Sequence, residues 1–121
     1  MKKIMIAEDS PTMRSLLVAT IESMDDYEIV EAASGFEALR LLPRDKVDLI
    51  ITDINMPDIN GLELISYIRN NSNYQNIPLF IISTESSEKD KEKGMALGAN
   101  EYLVKPFAAV KLQDLIRKYI G

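Results

Sequence analysis

Cysteine, histidine and tryptophan are all absent from this 121-residue chain. Without cysteine there is no disulfide framework and no thiolate nucleophile, and nothing points to an oxidising compartment. Without histidine, Ser-His-Asp triads, Cys-His pairs and the usual zinc sites are excluded. Proline and glycine are few, five of each, and no linker, repeat or low-complexity tract interrupts the chain. Long hydrophobic runs are missing as well. The apolar stretch behind Met1-Lys2-Lys3 stops at Ala7, before Glu8 and Asp9, too early for a signal peptide or a membrane span. Positive charge is also in deficit: the formal charge is −5 and no basic stripe is visible, which argues against nucleic-acid binding through clustered Lys and Arg. The expectation is one compact cytoplasmic domain over residues 1–121, restricted to carboxylate, hydroxyl and lysine chemistry. Hard oxygen donors of that kind suit Mg2+ better than a transition metal.

What the chain does contain is a regular alternation of short apolar runs with amphipathic stretches, the pattern of parallel βαβ units. Ile4 to Ala7 form a first strand. Ser10 and Pro11 then read as N-cap and first helical residue, with Met13, Leu16, Leu17, Thr20, Ile21 and Met24 at helical spacing. Tyr27 to Ala32 form a second strand, and Ser34 with Glu37 predicts a capping box for a short helix ending before Pro43. Val47 to Thr52 lead into Asp53, and Leu49-Ile50-Ile51 within them is a continuous apolar run suited to a central strand covered on both faces. The Asn60-Gly61 pair is a hairpin signal in isolation. It is overruled by Leu62, Ile65 and Ile68, with Leu64 alongside, at helical spacing, so Gly61 is expected to relieve backbone strain where loop meets helix. Pro78 opens a strand from Leu79 to Ile82, Glu85 to Leu97 reads as a helix capped by Gly98 with Met95 its first apolar anchor, and Glu101 to Val104 form a last strand. Val110, Leu112, Leu115, Ile116, Tyr119 and Ile120 mark a closing helix.

Four apolar runs deliver polar residues at their ends: Glu8 and Asp9, Asp53, Ser83 and Thr84, and Lys105. In open α/β sheets, ligands bind at the carboxyl ends of the strands, where the strand order reverses. Glu8, Asp9 and Asp53 held together would repel and raise one another's pKa unless a divalent cation favoured their ionised forms. Magnesium would leave coordination positions open for phosphate oxygens. Lys105 supplies a positive charge and Thr84 a hydroxyl donor, parts that phosphoryl transfer needs when catalysis is mostly positioning and charge neutralisation. Asp53 is the natural nucleophile, because carboxylates form acyl-phosphate intermediates.

Together, Glu8-Asp9, Asp53 followed by Asn55, Pro57 and Gly61, Ser83-Thr84, Tyr102, and Lys105-Pro106-Phe107 resemble the receiver domain of two-component response regulators, the stand-alone CheY-like chemotaxis regulators in particular. The resemblance covers essentially the whole chain. It implies a flavodoxin-like, doubly wound parallel sheet of five strands in the order 2-1-3-4-5 with five helices. It implies that Asp53 accepts a phosphoryl group from a CheA-like sensor histidine kinase, and that Glu8, Asp9, Asp53 and the backbone carbonyl of Asn55 hold Mg2+. Lys105 would pair with the phosphoryl group, Thr84 would move to bond it, and Tyr102 would turn inward and change the face of the fourth helix, fifth strand and fifth helix. The Lys105-Pro106 peptide would be cis. The chain would not be an enzyme acting on a separate substrate, since its chemistry would be confined to its own phosphorylation and dephosphorylation. As a monomer it would signal through a downstream protein, the flagellar motor if the resemblance extends to pathway.

Two departures from the family pattern bear on this. Glu8 stands where many relatives carry Asp, which lengthens that arm and points to a metal contact through water. Glu85, beside Thr84, is a bulky acid where relatives often have a small residue, and the resemblance implies that Asn55 and Ser86 stand at the family's positions for tuning self-dephosphorylation. Other functions remain to be weighed. A flavin carrier would need amides and hydroxyls after the first strand, where Glu8 and Asp9 would repel phosphate. An aspartate-nucleophile phosphatase would need a second acid where Asn55 stands. A phosphate sink or phosphorelay shuttle would use the same site, and a non-phosphorylated interaction module would leave it idle.

Overall fold

The computed structural model describes residues 1–84 and 88–121. Expectations that fall on Glu85 and Ser86, including the first residues of the helix read from Glu85, lie outside the described residues.

Strands β1 (Lys2–Ala7), β2 (Tyr27–Ala32), β3 (Leu49–Thr52), β4 (Leu79–Ser83) and β5 (Glu101–Val104) alternate with helices α1 (Pro11–Glu22), α2 (Gly35–Leu41), α3 (Gly61–Arg69), α4 (Glu88–Leu97) and α5 (Ala109–Ile120). All pairings are parallel, in the order β2-β1-β3-β4-β5. This is the flavodoxin-like architecture that the resemblance implied. The order reverses between β1 and β3, so the ends of those two strands lie side by side with Ala7 opposite Thr52.

Successive side chains on a strand point to opposite faces, and the core divides accordingly. Met5, Ala7, Ile50 and Ile81 pack with Leu64, Ile65 and Ile68 on the α2–α4 side. Ile4, Ile6, Leu49, Ile51, Phe80 and Ile82 pack with Leu17, Ile21, Leu112 and Ile116 on the α1–α5 side. Each such aliphatic side chain, removed from water, contributes about 1.5–3 kcal/mol. β1, β3 and β4 are thus anchored on two faces, which fixes the register of their polar ends.

Local signals held with instructive exceptions. Ser10 caps α1, its Oγ accepting from Met13 N at 3.3 Å, and Gly98 closes α4 at φ 113°. Ser34 Oγ accepts from Glu37 N, but Glu37 returns its carboxylate to Ala33 N and not to Ser34. The complete capping box belongs to Asn60 and Glu63, at the start of α3. Gly61 is not in the left-handed region. Its requirement is proximity: a Cβ there would lie 2.1 Å from the Asp53 carbonyl oxygen. Leu16 and Val110 share the helical spacing of their neighbours but are 50% and 67% exposed. In α4 the buried residue is Gly94, and the expected anchor Met95 is 40% exposed.

Arg69 ties together the far edge, donating to the carbonyls of Gly98, Gln75 and Ile77 and to Asn100 Oδ1. Asn100 Oδ1 in turn accepts from Leu79 N, so the α3–β4 and α4–β5 connections are fixed to one another. No helix among the described residues is long and apolar enough to cross a membrane.

Candidate functional site

At the carboxyl edge of the sheet, β1 ends in Ala7 and delivers Glu8 and Asp9, while β3 ends in Thr52 and delivers Asp53. Glu8 and Asp53 are buried and Asp9 is exposed. One carboxylate oxygen from each of the three lies within 4.8 Å of the others, a grouping that could hold a metal ion. The donor set is all oxygen and all anionic, the kind that hard divalent cations take.

Lys105 directly follows β5, and its peptide bond to Pro106 is cis. Its backbone N–H donates to the Ser83 carbonyl at 2.8 Å, which extends the β4–β5 pairing by one residue. Its ammonium sits between two acids, 2.6 Å from Glu8 Oε1 and 3.3 Å from Asp53 Oδ2. Both partners and the lysine side chain are at least nine-tenths buried, so little solvent screens their attraction, which offsets the cost of taking the charges out of water.

Glu8 Oε2 also accepts from Ser10 N, and Asp53 Oδ1 accepts from Ile54 N at 2.7 Å. Burial pushes the Glu8 carboxyl above the ordinary glutamate value. The bonds from Lys105 and the Ser10 amide pull it back down, and the neighbouring charge of Asp53 pushes it up again. Carboxylates brought together beyond what one lysine neutralises are the condition a divalent cation relieves.

Thr84 stands exposed directly after β4. Asn55 is exposed, two residues beyond Asp53 in the β3–α3 loop. Tyr102 is half-buried on β5 and packs against the α2–α4 side of the core, beneath α4, where a Cβ on Gly94 would lie 3.8 Å from its ring. The structure therefore brings Glu8, Asp9, Asp53 and Lys105 into one cluster. Thr84 and Asn55 lie on the same edge. A separate hollow of about 500 Å³, lined by Leu42, Val47, Tyr74 and Ile77 among others, lies at the opposite edge and belongs to none of this chemistry.

Two supporting residues escaped the sequence reading. Asp58 accepts from Gly35 N and Phe36 N, docking the β3–α3 loop on the start of α2. Its carboxyl is held below the ordinary aspartate value, first by the Ile59 amide and then by that of Phe36. A depressed carboxyl contributes stability above its unfolded pKa and loses it as pH falls through the folded value. Replacing Asp58 with Asn is therefore expected to flatten the acid limb of the melting temperature against pH, a comparison made by scanning calorimetry. Arg14 is the other, donating to the Glu8 carbonyl at 2.7 Å. A sequence signal for Arg14 exists: a cation in the first turn of a helix opposes the helix dipole and calls for an acidic partner.

Comparison with known proteins converges on the same edge. The chain is 33% identical over 120 residues to the chemotaxis protein CheY homolog of Campylobacter jejuni, covering 98% of this chain and 92% of that protein. Its fold is similar to that of Vibrio cholerae chemotaxis protein CheY4, with a TM-score of 0.91, 34% identity and 99% of each chain covered. The receiver domain of a Pseudomonas aeruginosa sensor histidine kinase, solved with magnesium in its active-site cleft, matches with a TM-score of 0.90 at 28% identity, covering 99% of this chain and 98% of that one. The profile of the response regulator receiver domain spans residues 4–117. With that match across nearly its whole length, and with the strand order and the acid-lysine cluster in place, the chain belongs to the response regulator receiver domain family.

Proposed function

We propose that residues 1–121 act as one receiver domain in which Asp53 accepts a phosphoryl group in a Mg2+-dependent reaction. The observation that carries this reading is the Lys105 ammonium held between Glu8 and Asp53, with Asp9 completing a three-carboxylate cluster. An Asp53 oxygen attacks phosphorus, and the leaving group departs with the electron pair of the bond it held. Asp9, Asp53 and the Asn55 carbonyl would hold Mg2+, which would supply charge neutralisation for the incoming phosphoryl oxygens. Both Glu8 oxygens are already engaged by Lys105 and Ser10 N, which favours a Glu8 contact to the metal through water. The Ile54 amide holds one Asp53 oxygen in place, and Lys105 meets the added charge.

The donor in this reading is a CheA-like histidine kinase, in keeping with the likeness to chemotaxis proteins. Thr84 and Tyr102 form the relay to the face built from α4, β5 and α5, through which a monomeric, cytoplasmic regulator meets its target. Likeness to chemotaxis proteins along nearly the whole chain supports a role in chemotaxis, with the flagellar motor as target. A phosphate sink or phosphorelay shuttle would share the site and differ in its partners.

The test is intact mass after incubation with a small phosphodonor such as phosphoramidate. A gain of one phosphoryl group that needs Mg2+ and is lost with chelator supports acceptance. No gain from either a small donor or a CheA-like kinase would favour a non-phosphorylated interaction module.

A further inference from the structure

We infer that Arg14 is a positioning residue for the metal-binding acids, acting through the main chain of Glu8. The inference rests on the Mg2+ reading of the cluster and extends it to a residue outside the acid, hydroxyl and lysine set. Lys105 and the Ser10 amide hold the Glu8 side chain. The Glu8 main chain is held independently: its N–H donates to the Ala32 carbonyl at 3.0 Å, and its carbonyl accepts from Arg14 Nη1 at 2.7 Å. That carbonyl lies in the peptide plane joining Glu8 to Asp9, and a peptide plane is rigid. Fixing it places the Asp9 N and Cα, from which the Asp9 carboxylate leaves the chain.

Arg14 can do this because its other edge is anchored. Its Nε lies 3.3 Å from Glu31 Oε1 on β2, and the arginine side chain is 20% exposed. The guanidinium therefore bridges α1, the end of β1 and the end of β2 with a planar fork. A lysine, a point charge on a flexible stem, cannot hold both ends. Charge and geometry predict opposite results here. A nearby cation repels Mg2+, so removing it would tighten binding if charge were all that mattered. Losing the clamp on the Glu8-Asp9 peptide would weaken binding.

Calorimetric Mg2+ titration of wild type, Arg14→Lys, Arg14→Met and Glu31→Gln at one ionic strength, with melting curves for each, decides between them. Outer-sphere partners of metal ligands are commonly worth 10–100-fold in affinity, so both Arg14 variants are expected to weaken Mg2+ binding about tenfold. Glu31→Gln, at a half-exposed position, should weaken it in the same direction by less. Tighter binding in Arg14→Met, or unchanged affinity in Arg14→Lys and Glu31→Gln whatever happens to melting, would overturn the inference alone. Wild type that shows no Mg2+ binding would instead remove the metal reading on which the inference stands.

Discussion

Asp53→Asn is expected to abolish phosphoryl uptake from a small donor under conditions in which wild type gains one group, while leaving the fold intact. An amide nitrogen is not a competent nucleophile, and the amide oxygen of Asn lacks the full charge that attacks phosphorus. The variant also removes one anionic ligand from a cluster whose three carboxylates lie within 4.8 Å. Mg2+ affinity should fall with it. The fold should survive, since the Asn oxygen can still accept from Ile54 N and Lys105 keeps its shorter contact, 2.6 Å, to Glu8. Intact mass read beside a melting curve checks both halves. A phosphoryl gain in Asp53→Asn would assign acceptance to another residue.

The largest stability effect is expected at Gly61. A Cβ there would lie 2.1 Å from the Asp53 carbonyl oxygen and 2.9 Å from Ile54 Cα, both backbone atoms that cannot rotate aside. The start of α3 is equally constrained: Gly61 N donates to the Ile54 carbonyl at 2.8 Å, and the Asn60-Glu63 capping box fixes the first turn. Relief would have to come from displacing the loop that carries Asp53 and Asn55. Overpacking against yielding side chains costs about 1–3 kcal/mol. Against backbone, Gly61→Ala should cost about 3 kcal/mol or more and lower the melting temperature by roughly 10 °C.

Gly94→Ala is the internal comparison. Its Cβ would meet Ile81 Cδ1 at 2.5 Å, the end of a side chain, and alanine in a helix regains about 1 kcal/mol over glycine. Thermal melts should therefore separate the two variants clearly. Equal melting temperatures would mean that the β3–α3 junction yields more readily than its geometry implies.

The sequence reveals the elements well because two-sided burial leaves a plain signature. Leu49-Ile50-Ile51 and Leu79 to Ile82 are continuous apolar runs, and both are buried strands. The polar residues ending those runs mark the site edge for the same reason: once a strand is fixed on two faces, its last residue has one place to go. The strand order was not legible from periodicity and came from the family resemblance. Periodicity also misplaced Leu16, midway along α1, and Val110, in the first turn of α5: both satisfy the helical spacing and still face solvent.

What periodicity cannot encode is the partner of a polar group. Asp58 meets Gly35 and Phe36 across 23 and 22 residues of chain, and nothing local to Asp58 announces it. Gly61 was recognised as special for conformational freedom, whereas its need for a missing Cβ arises from a carbonyl eight positions earlier, visible only once the chain has folded back.

The central claim is that Asp53 is the phosphoryl acceptor, and chemical trapping tests it most directly. Borohydride reduces an aspartyl phosphate to homoserine, so wild type treated with phosphodonor and Mg2+, then reduced and mapped by peptide mass spectrometry, should carry homoserine at position 53 and nowhere else. Omission of Mg2+ should remove the signal. Homoserine at Asp9 or another aspartate, the corresponding longer alcohol at Glu8, or no reduced residue in a chain that has gained a phosphoryl group would contradict the account.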